Sequence, residues 1–250
     1  METKKSNIKR CGLIGRNIEY SFSRGYFKKK FEIESLNNFS YENFDLKQID
    51  EIKNLLTQDD LFGFNVTSPY KREVIPFLNH LSPAATEINA VNTIKFEKDG
   101  SLSGHNTDVY GFEKSLREII AEIPEKALIL GTGGASSAVA YVLKKMNVET
   151  SFVSRRKGEN LIHYDAINKS VIRENLLIVN SSPVGTFPNV REAPNLPYEF
   201  LTEHHILYDL IYNPHETLFL RRGKKRNCKI SNGQKMLEYQ AEKSWHIWNQ

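Results

Sequence analysis

Lys71 stands where a side chain could exchange a proton with a bound ligand. It follows the segment 61–67, whose pattern predicts a strand, and the dipeptide Ser68-Pro69, which is typical of a helix start. The sequence therefore predicts a helix from about 69 to 78, with Lys71 in its first turn. There the positive end of the helix dipole and partial burial both favour the neutral amine over the ammonium ion. Such a lysine is a candidate for proton transfer near neutral pH, although most lysines are solvated surface charges.

Two serines near the start of the chain form a second pair of chemical groups. Ser21 and Ser23 follow a first predicted strand over 8–14. In an extended segment alternate side chains point to the same side, so the two hydroxyls would share one face and could bind a carboxylate. A serine-rich turn without a ligand would give the same pattern, and the segment alone leaves both interpretations open.

Three polar side chains are expected to meet at the open end of a predicted hairpin: Asn92, Asn106 and Asp108. The hairpin covers 91–105, and a two-residue turn at Asp99-Gly100 pairs residue 98 with 101 and Asn92 with Thr107. Such a convergence indicates a site more than a requirement of the fold. Asp108 also precedes apolar residues at helical spacing, so helix capping alone could account for it.

A glycine-rich turn in the middle of the chain indicates a nucleotide site. The apolar run 127–130 leads into Gly131-Thr132-Gly133-Gly134, a helix-forming segment over 135–146 follows, and 148–154 is predicted to be a second strand. Glycines before a helix N-terminus let the backbone approach a pyrophosphate, whose charge the helix end favours. Ser136 replaces the third glycine of the usual fingerprint, and a plain tight turn is the alternative.

The end of the second strand indicates which nucleotide would bind. NAD sites usually have an acidic residue there, but this sequence has Ser154-Arg155-Arg156-Lys157. Positive side chains suit a 2′-phosphate, so NADP is favoured over NAD, and over SAM and FAD for the same reason. Two further strands, 176–180 and 206–212, place Asn180, Ser182 and Tyr212 where ligands bind in open α/β sheets.

Composition excludes several classes of protein. The 250 residues are 40% hydrophobic and 26% charged, which is ordinary for a globular protein of one large or two ordinary domains. No apolar run approaches the ~20 residues of a membrane span, and the polar segment 1–10 is unlike a signal peptide. Cys11 and Cys228 lie far apart, which favours a reducing cytosol, and we expect a cytoplasmic protein with no metal site. The basic segment 221–226 is interpreted as a solvated helix end, with a nucleic-acid patch as the alternative.

Taken in order, these segments resemble shikimate dehydrogenase from about Gly12 to the C-terminus. The motifs that carry the resemblance are Ser21-x-Ser23, Asn65-Val-Thr67-Ser-Pro69-Tyr-Lys71, Ala90-Val-Asn92-Thr-Ile, Asn106-Thr-Asp108-x-x-Gly111, Gly131-x-Gly-Gly-Ala135, the segment 208–214, and Gln240, which lies on the apolar stripe of a last helix. The family usually has His at Tyr20, Pro at Arg24, Gly at Asn89 and Asn-Arg-Thr at Ser154-Arg155-Arg156. These departures concern substrate range more than reaction type.

The resemblance implies an α/β protein with an N-terminal substrate-binding domain and a Rossmann-type, doubly wound NADP-binding domain, with the active site in the cleft between them. The first would comprise 1–105, completed by the C-terminal helix 232–250, and the second 106–231. The implied reaction is the reversible NADPH-dependent reduction of 3-dehydroshikimate to shikimate, in chorismate and aromatic amino-acid biosynthesis.

The resemblance also implies a role for each matching residue. The catalytic pair would be Lys71 and Asp108. The substrate-binding residues would be Ser21, Ser23, Asn65, Thr67, Asn92, Tyr212 and Gln240. The cofactor-binding residues would be Gly131, Thr132, Gly133, Gly134, Ala135, Ser154, Arg155, Arg156, Asn180, Ser182 and Gly233. Partners would be the small-molecule substrate, with no nucleic acid or membrane, in a monomer or homodimer. The alternatives are a quinate/shikimate dehydrogenase-like relative with altered substrate or cofactor preference, and a non-catalytic NADP-binding sensor.

Overall fold

The computed structural model describes residues 8–19 and 21–250, and the chain forms two compact α/β units. The first unit extends to Thr107 and includes Ala241–Gln250, and the second comprises Asp108–Gln240. The sequence predicts the second boundary between residues 231 and 232, whereas the structure places it between Gln240 and Ala241. The first turns of the last helix pack within the second unit, where an added Cβ at Gly111 would overlap the Met236 carbonyl oxygen. The assignment of 1–105 with 232–250 to substrate binding and of 106–231 to NADP binding stays a prediction.

The first unit is built on a mixed sheet. Its strands are β1 Lys9–Gly15, β2 Phe39–Asp45, β3 Leu61–Val66, β4 His80–Leu81, β5 Thr93–Phe96 and β6 Leu102–His105. They follow the order β2-β1-β3-β5-β6-β4, with β1 parallel to both of its neighbours and β5 antiparallel to both of its own. The helices are α1 Phe22–Ile33, α2 Ile52–Leu55 and α3 Pro83–Ile88. One apolar cluster forms around Phe64 and Tyr70, and a second around Phe27 and Trp248.

The second unit is a doubly wound parallel sheet. Its strands are β7 Lys126–Leu130, β8 Glu149–Ser154, β9 Leu161–His163, β10 Leu177–Asn180, β11 Ile206–Asp209 and β12 Lys229–Ser231. Its helices are α4 Asp108–Arg117, α5 Gly134–Lys145, α6 Lys169–Glu174 and α7 Leu218–Lys224, followed by α8 Gln234–Trp248, which continues into the first unit. The strand order β12-β11-β10-β7-β8-β9 reverses at β7. This is the Rossmann arrangement, in which ligands bind beyond the carboxyl ends of the strands near the reversal.

Most elements predicted from the sequence are confirmed. They include the first strand, the two hairpin strands, the unit of β7, α5 and β8, the strands at 177–180 and 206–209, and the last helix after Gly233. Helix α3 begins after the N-cap residue Ser82, whose side chain accepts from Ala85 N. Asn89 ends it in the left-handed region with φ 55°, a conformation that glycine and asparagine tolerate best. The apolar residues at helical spacing over 46–56 form only a 3₁₀ turn and the single turn α2.

The helix predicted over 69–78 is wrong. This segment, all of it described, contains turns and one 3₁₀ helix, Ile75–Phe77, and no α-helix. Long-range bonds override the local Ser-Pro signal: the buried Tyr70 hydroxyl donates to the Leu46 carbonyl at 2.8 Å. The Lys71 carbonyl accepts from Val91 N at 2.7 Å, whereas in a helix it would accept from Ile75 N. Lys71 therefore lies in a turn, without the helix dipole that the sequence suggested.

The predicted hairpin register is off by one residue. Thr93 pairs with His105 and Phe96 with Leu102, so the loop has three residues and ends at Gly100, whose φ is +85°. A three-residue loop closed by a left-handed glycine is a common hairpin turn. Asn92 and Thr107 nevertheless meet, because the Asn92 Oδ1 accepts from Thr107 N at 2.7 Å.

Candidate functional site

A cavity of about 580 Å³ lies at the carboxyl ends of the central strands of the second unit. It gathers seven residues that the sequence assigned to a cofactor: Gly131, Thr132, Gly133, Ser154, Arg155, Arg156 and Ser182. They come from the ends of β7, β8 and β10, which are neighbours at the reversal of strand order. The cavity thus stands where open α/β sheets bind nucleotides.

Gly131 and Gly133 of the turn are glycine for different physical reasons. Gly131 has φ +110°, and an added Cβ would lie 3.2 Å from the Ser181 Oγ, so the fold itself requires glycine there. Gly133 has φ −82°, and among the described residues nothing lies within 4 Å of a Cβ added to it. The fold does not need glycine at that position, so the open space is available to a ligand at the N-terminus of α5. Ser136, in place of a third glycine, is buried and donates to the Gly133 carbonyl at 2.5 Å.

The end of β8 presents two guanidinium groups to the cavity. Ser154 Oγ accepts from Arg156 N at 3.0 Å, which holds the turn that carries both arginines. Neither Arg155 nor Arg156 has a carboxylate within 4.0 Å in the part of the chain that the structure describes, and both are exposed. Their forked donors are therefore available for a phosphate.

The end of β10 forms another part of the cavity wall. Asn180 is fully buried behind it, and its Oδ1 accepts from Ser182 Oγ at 2.7 Å and Ser182 N at 3.1 Å. Ser182 itself lines the cavity. The sequence assigned both residues to the cofactor, but of the two only Ser182 reaches the cavity surface.

Three other residues predicted to bind the cofactor lie outside the cavity lining. Gly134 and Ala135 open helix α5 directly behind Gly133. Gly233 donates its N–H to the Ile211 carbonyl at 3.0 Å. A Cβ added to Gly233 would overlap the Leu210 carbonyl oxygen. Close backbone packing therefore explains this glycine without a ligand, and its cofactor role stays a prediction.

Sequence reasoning missed ten residues of the lining: Val153, His163, Tyr164, Asp165, Ser181, Pro183, Val184, Ala193, Pro194 and Asn195. His163 ends the three-residue strand β9, which is too short to show a period in the sequence. Its Nε2 donates to the Arg155 carbonyl at 3.1 Å, and its Nδ1 accepts from Asp165 N at 3.3 Å. The run 155–160, which precedes β9 and is exposed, is the one feature of this region that could have indicated a loop leading back to the cavity.

In the first unit, three predicted site residues lie around the end of β3. Thr67 follows β3 and donates its N–H to the Ile14 carbonyl at 2.9 Å. The Asn92 carbonyl accepts from Val66 N at 2.9 Å, and the bond from Val91 N holds the Lys71 backbone beside the same segment. Lys71 is half-buried. The backbone therefore gathers Thr67, Lys71 and Asn92 at the carboxyl end of one strand.

Asn65, also assigned to the substrate, is a hydrogen-bonding centre of the first unit. It is 4% exposed. Its Oδ1 accepts from the Tyr41 hydroxyl at 2.9 Å, and its Nδ2 donates to Ser244 Oγ at 2.9 Å and more weakly to Thr93 Oγ1. These bonds tie β3 to β2, β5 and α8. The geometry favours a structural role, and substrate binding by Asn65 stays a prediction.

The prediction that Ser21 and Ser23 lie in one extended segment is wrong. Ser21 is the N-cap residue of α1, and Ser23 lies in the first helical turn, 8% exposed and hydrogen-bonded to Tyr41. Residues two apart on a helix do not share a face. Both hydroxyls instead lie at a helix N-terminus, which itself favours an anion. The departure at Tyr20 lies outside the described residues, and Arg24 is exposed on α1.

The remaining predicted residues belong to the second unit. Asp108 begins α4, as expected. Gln240 is 7% exposed, donates to the Leu237 carbonyl at 2.9 Å, and packs against Gly111 of α4, where an added Cβ would lie 3.1 Å from its own. Tyr212 follows β11 and is 38% exposed, and partial burial raises its pKa.

The described residues contain no group of three or more His, Cys, Asp and Glu side chains that could hold a metal ion. Within the same residues, no helix combines the length and apolar character needed to cross a membrane.

Comparison with known proteins gives a consistent result. The family described as shikimate dehydrogenase substrate binding domain matches residues 13–94. The shikimate dehydrogenase (NADP(+)) of Desulforamulus reducens is 36% identical, over 95% of this chain and 89% of its own. The chorismate mutase/shikimate 5-dehydrogenase fusion protein from Clostridium acetobutylicum has a TM-score of 0.87 at 35% identity, covering 97% of this chain and 91% of that one. The shikimate 5-dehydrogenase from Thermus thermophilus, solved with NADP(H) and shikimate, has a TM-score of 0.84 at 30% identity, covering 96% and 93%.

Proposed function

Because this chain belongs to the shikimate dehydrogenase family, we propose that it catalyses the reversible NADPH-dependent reduction of 3-dehydroshikimate to shikimate. This reaction belongs to chorismate and aromatic amino-acid biosynthesis. The observation that carries the proposal is the cavity of the second unit, where a glycine turn, two arginines and Ser182 come together. Relatives of this chain that are named shikimate dehydrogenase (NADP(+)) match nearly its whole length.

The residues of the cavity fit NADP. The turn at Gly131 and Gly133, with the N-terminus of α5 behind it, suits a pyrophosphate. The side chains of Arg155 and Arg156 suit a 2′-phosphate, since no acidic residue at the end of β8 would accept bonds from a ribose hydroxyl. When bound, this cofactor supplies or accepts the hydride.

Lys71 is proposed as the proton-transfer residue. Reduction of a ketone adds a hydride to carbon and a proton to oxygen, and Lys71 donates that proton and takes it back in the reverse reaction. The bond from Val91 N to its carbonyl holds its backbone beside Asn92. Asp108 is proposed to orient and polarise the ammonium group.

The other predicted residues are proposed to hold the substrate. Ser21 and Ser23, at the N-terminus of α1, would bind its carboxylate. The hydroxyls of the ring would be bound by residues of both units, namely Asn65, Thr67, Asn92, Tyr212 and Gln240. Holding the ring in one orientation is how these residues would contribute to rate.

The proposal is tested by following NADPH formation with shikimate as substrate. Parallel assays replace NADP by NAD and shikimate by quinate. We expect turnover with shikimate and NADP to exceed the other three combinations. A preference for quinate or NAD would instead make the chain a relative with altered specificity. NADPH binding without turnover on any of these substrates would make it a sensor and contradict the proposal.

A further inference from the structure

Asp209, the last residue of β11, is a buried carboxylate that the proposed reaction does not use. It is fully buried, and its Oδ1 accepts from Asn180 Nδ2 at 3.0 Å and Ile211 N at 3.1 Å. Its Oδ2 accepts from Thr217 Oγ1 at 2.6 Å. Within the described chain no cation lies within 4.0 Å of either oxygen. Burial raises the pKa of Asp209 to about 6, and the hydrogen bonds oppose that rise.

This carboxylate holds the Asn180 amide in one orientation, which a longer bond from the same Nδ2 to the Val184 carbonyl at 3.4 Å and the bond from Ser182 N to Oδ1 also favour. A carboxylate oxygen can only accept, so the amide group facing it must be the donor Nδ2. The opposite orientation would place the amide oxygen against the Asp209 oxygen. With Nδ2 on Asp209, the Oδ1 faces Ser182 and accepts from both its hydroxyl and its N–H.

The Asn180 orientation in turn fixes the character of the Ser182 hydroxyl. A serine hydroxyl has one hydrogen, and here it is donated to Asn180 Oδ1 at 2.7 Å. Val184 N donates to the Ser182 Oγ, but weakly, since the two atoms are 3.4 Å apart. What Ser182 offers to the cavity is therefore an acceptor and no donor. An acceptor at this place selects a donor from a bound dinucleotide, such as a ribose hydroxyl or an amide N–H.

We infer that Asp209 is a positioning residue for the cofactor, which acts through Asn180 to hold the Ser182 hydroxyl as a hydrogen-bond acceptor facing the cavity. The inference rests on the proposal that this cavity binds NADP. Asp209 is not itself catalytic, because it lies behind the wall and reaches the cavity only through the other two side chains.

A double-mutant cycle on NADPH binding tests the inference. The probe is NADPH, and its dissociation constant is measured by fluorescence titration for the wild-type chain, Asp209→Ala, Ser182→Ala and the double variant. A hydrogen bond of ordinary strength predicts about 5- to 10-fold weaker binding for each single variant. Because both changes remove the same acceptor, the double variant should be no more than about 2-fold weaker than either single one.

Two further variants separate positioning from stability. Asp209→Asn keeps an acceptor oxygen for Asn180 and Ile211 and can donate to the Thr217 hydroxyl, so it should restore NADPH binding to within about 2-fold of the wild type. Asn175→Ala removes a buried asparagine whose amide donates to the Val171 carbonyl at 2.8 Å. This control should lower the melting temperature and leave NADPH affinity unchanged.

The outcomes are distinguishable. Independent losses that multiply in the double variant, or unchanged affinity in Asp209→Ala, overturn the positioning role. If Asp209→Ala does not fold, Asn180→Ala replaces it in the same cycle and breaks the same connection. Absence of NADPH binding by the wild-type chain would contradict the proposed function itself, which is a different failure.

Discussion

His163 Nε2 donates a hydrogen bond of 3.1 Å to the Arg155 carbonyl, linking β9 to the turn that carries both cavity arginines. A carbonyl can only accept, so Nε2 carries the hydrogen, and Nδ1 accepts from Asp165 N at 3.3 Å. Both ring nitrogens are thus used within the protein. His163 holds the backbone of Arg155, whose side chain we expect to bind the 2′-phosphate.

Replacing His163 by leucine should therefore weaken NADP binding by about 3- to 10-fold, the value of one hydrogen bond. NAD, which lacks the 2′-phosphate, should bind as before. The matched variant His163→Gln retains a side-chain N–H donor and should keep most of the NADP affinity. Dissociation constants for both cofactors, measured on the three proteins, check this. Equal losses for NADP and NAD would show that His163 supports the whole cavity instead.

Arg155→Ala should weaken NADP by about 10- to 100-fold, because it removes charge-assisted bonds to a phosphate. NAD affinity should change by less than about 2-fold. Lys157→Ala is the control, since Lys157 is an exposed base of the same segment that does not line the cavity. A comparable NADP loss in the control would point to general electrostatic attraction rather than a specific site.

The Rossmann unit could be predicted because its strands carry an unambiguous pattern. Residues 127–130 and 177–179 are fully buried, and strands buried on both faces are continuous apolar runs. The glycine turn between β7 and α5 added a local signal, because the φ of +110° at Gly131 itself favours glycine. Here sequence, fold and cavity agree.

Other features could not be predicted, because long-range contacts decide them. The Ser68-Pro69 pair is a local helix signal, but the bonds of Tyr70 to Leu46 and of Lys71 to Val91 join segments distant in sequence. The segment holding Ser21 and Ser23 is too short to distinguish an extended chain from a helix start. The wall formed by β9 was missed because three residues show no period.

Lys71→Ala should lower the turnover number by about 10²- to 10⁴-fold, the usual contribution of a general acid or base. NADPH binding should be unchanged, because the cofactor cavity lies in the second unit. The neighbouring exposed residue gives the control Arg72→Ala, which should keep normal turnover. Initial rates and NADPH titrations measure both effects. Near-normal turnover of Lys71→Ala would remove this lysine from the proton transfer.

Two single-methyl changes in the glycine turn should have opposite effects. Gly131→Ala forces a side chain into φ +110° and against Ser181, and should lower the free energy of unfolding by about 1–3 kcal/mol. Gly133→Ala meets no described atom within 4 Å and has an ordinary φ of −82°, so it should keep its stability. Its methyl group projects where a pyrophosphate would lie, so NADPH affinity should fall at least about 10-fold. Chemical denaturation and NADPH titration separate the two. Unchanged NADPH affinity in Gly133→Ala would contradict the pyrophosphate assignment.

The buried carboxyl of Asp209 should make stability depend on pH in a known direction. Its pKa is raised from 3.8 to about 6, because burial disfavours the charged form. The folded chain therefore holds this proton up to about pH 6, whereas the unfolded chain releases it near 3.8. The resulting stabilisation is complete below the lower value and is lost as the pH rises to the upper one.

At about 1.4 kcal/mol per pH unit between those two values, the loss is about 3 kcal/mol. Asp209→Asn has no such proton. The free energy of unfolding of the wild type minus that of Asp209→Asn should therefore fall by about 2.4 kcal/mol between pH 4 and pH 7, because part of the full loss occurs below pH 4. Urea denaturation of both proteins across this range measures it, and all other titrating groups cancel in the difference. A difference that rises with pH would mean that the Asn180, Ile211 and Thr217 bonds outweigh burial and keep the carboxylate charged.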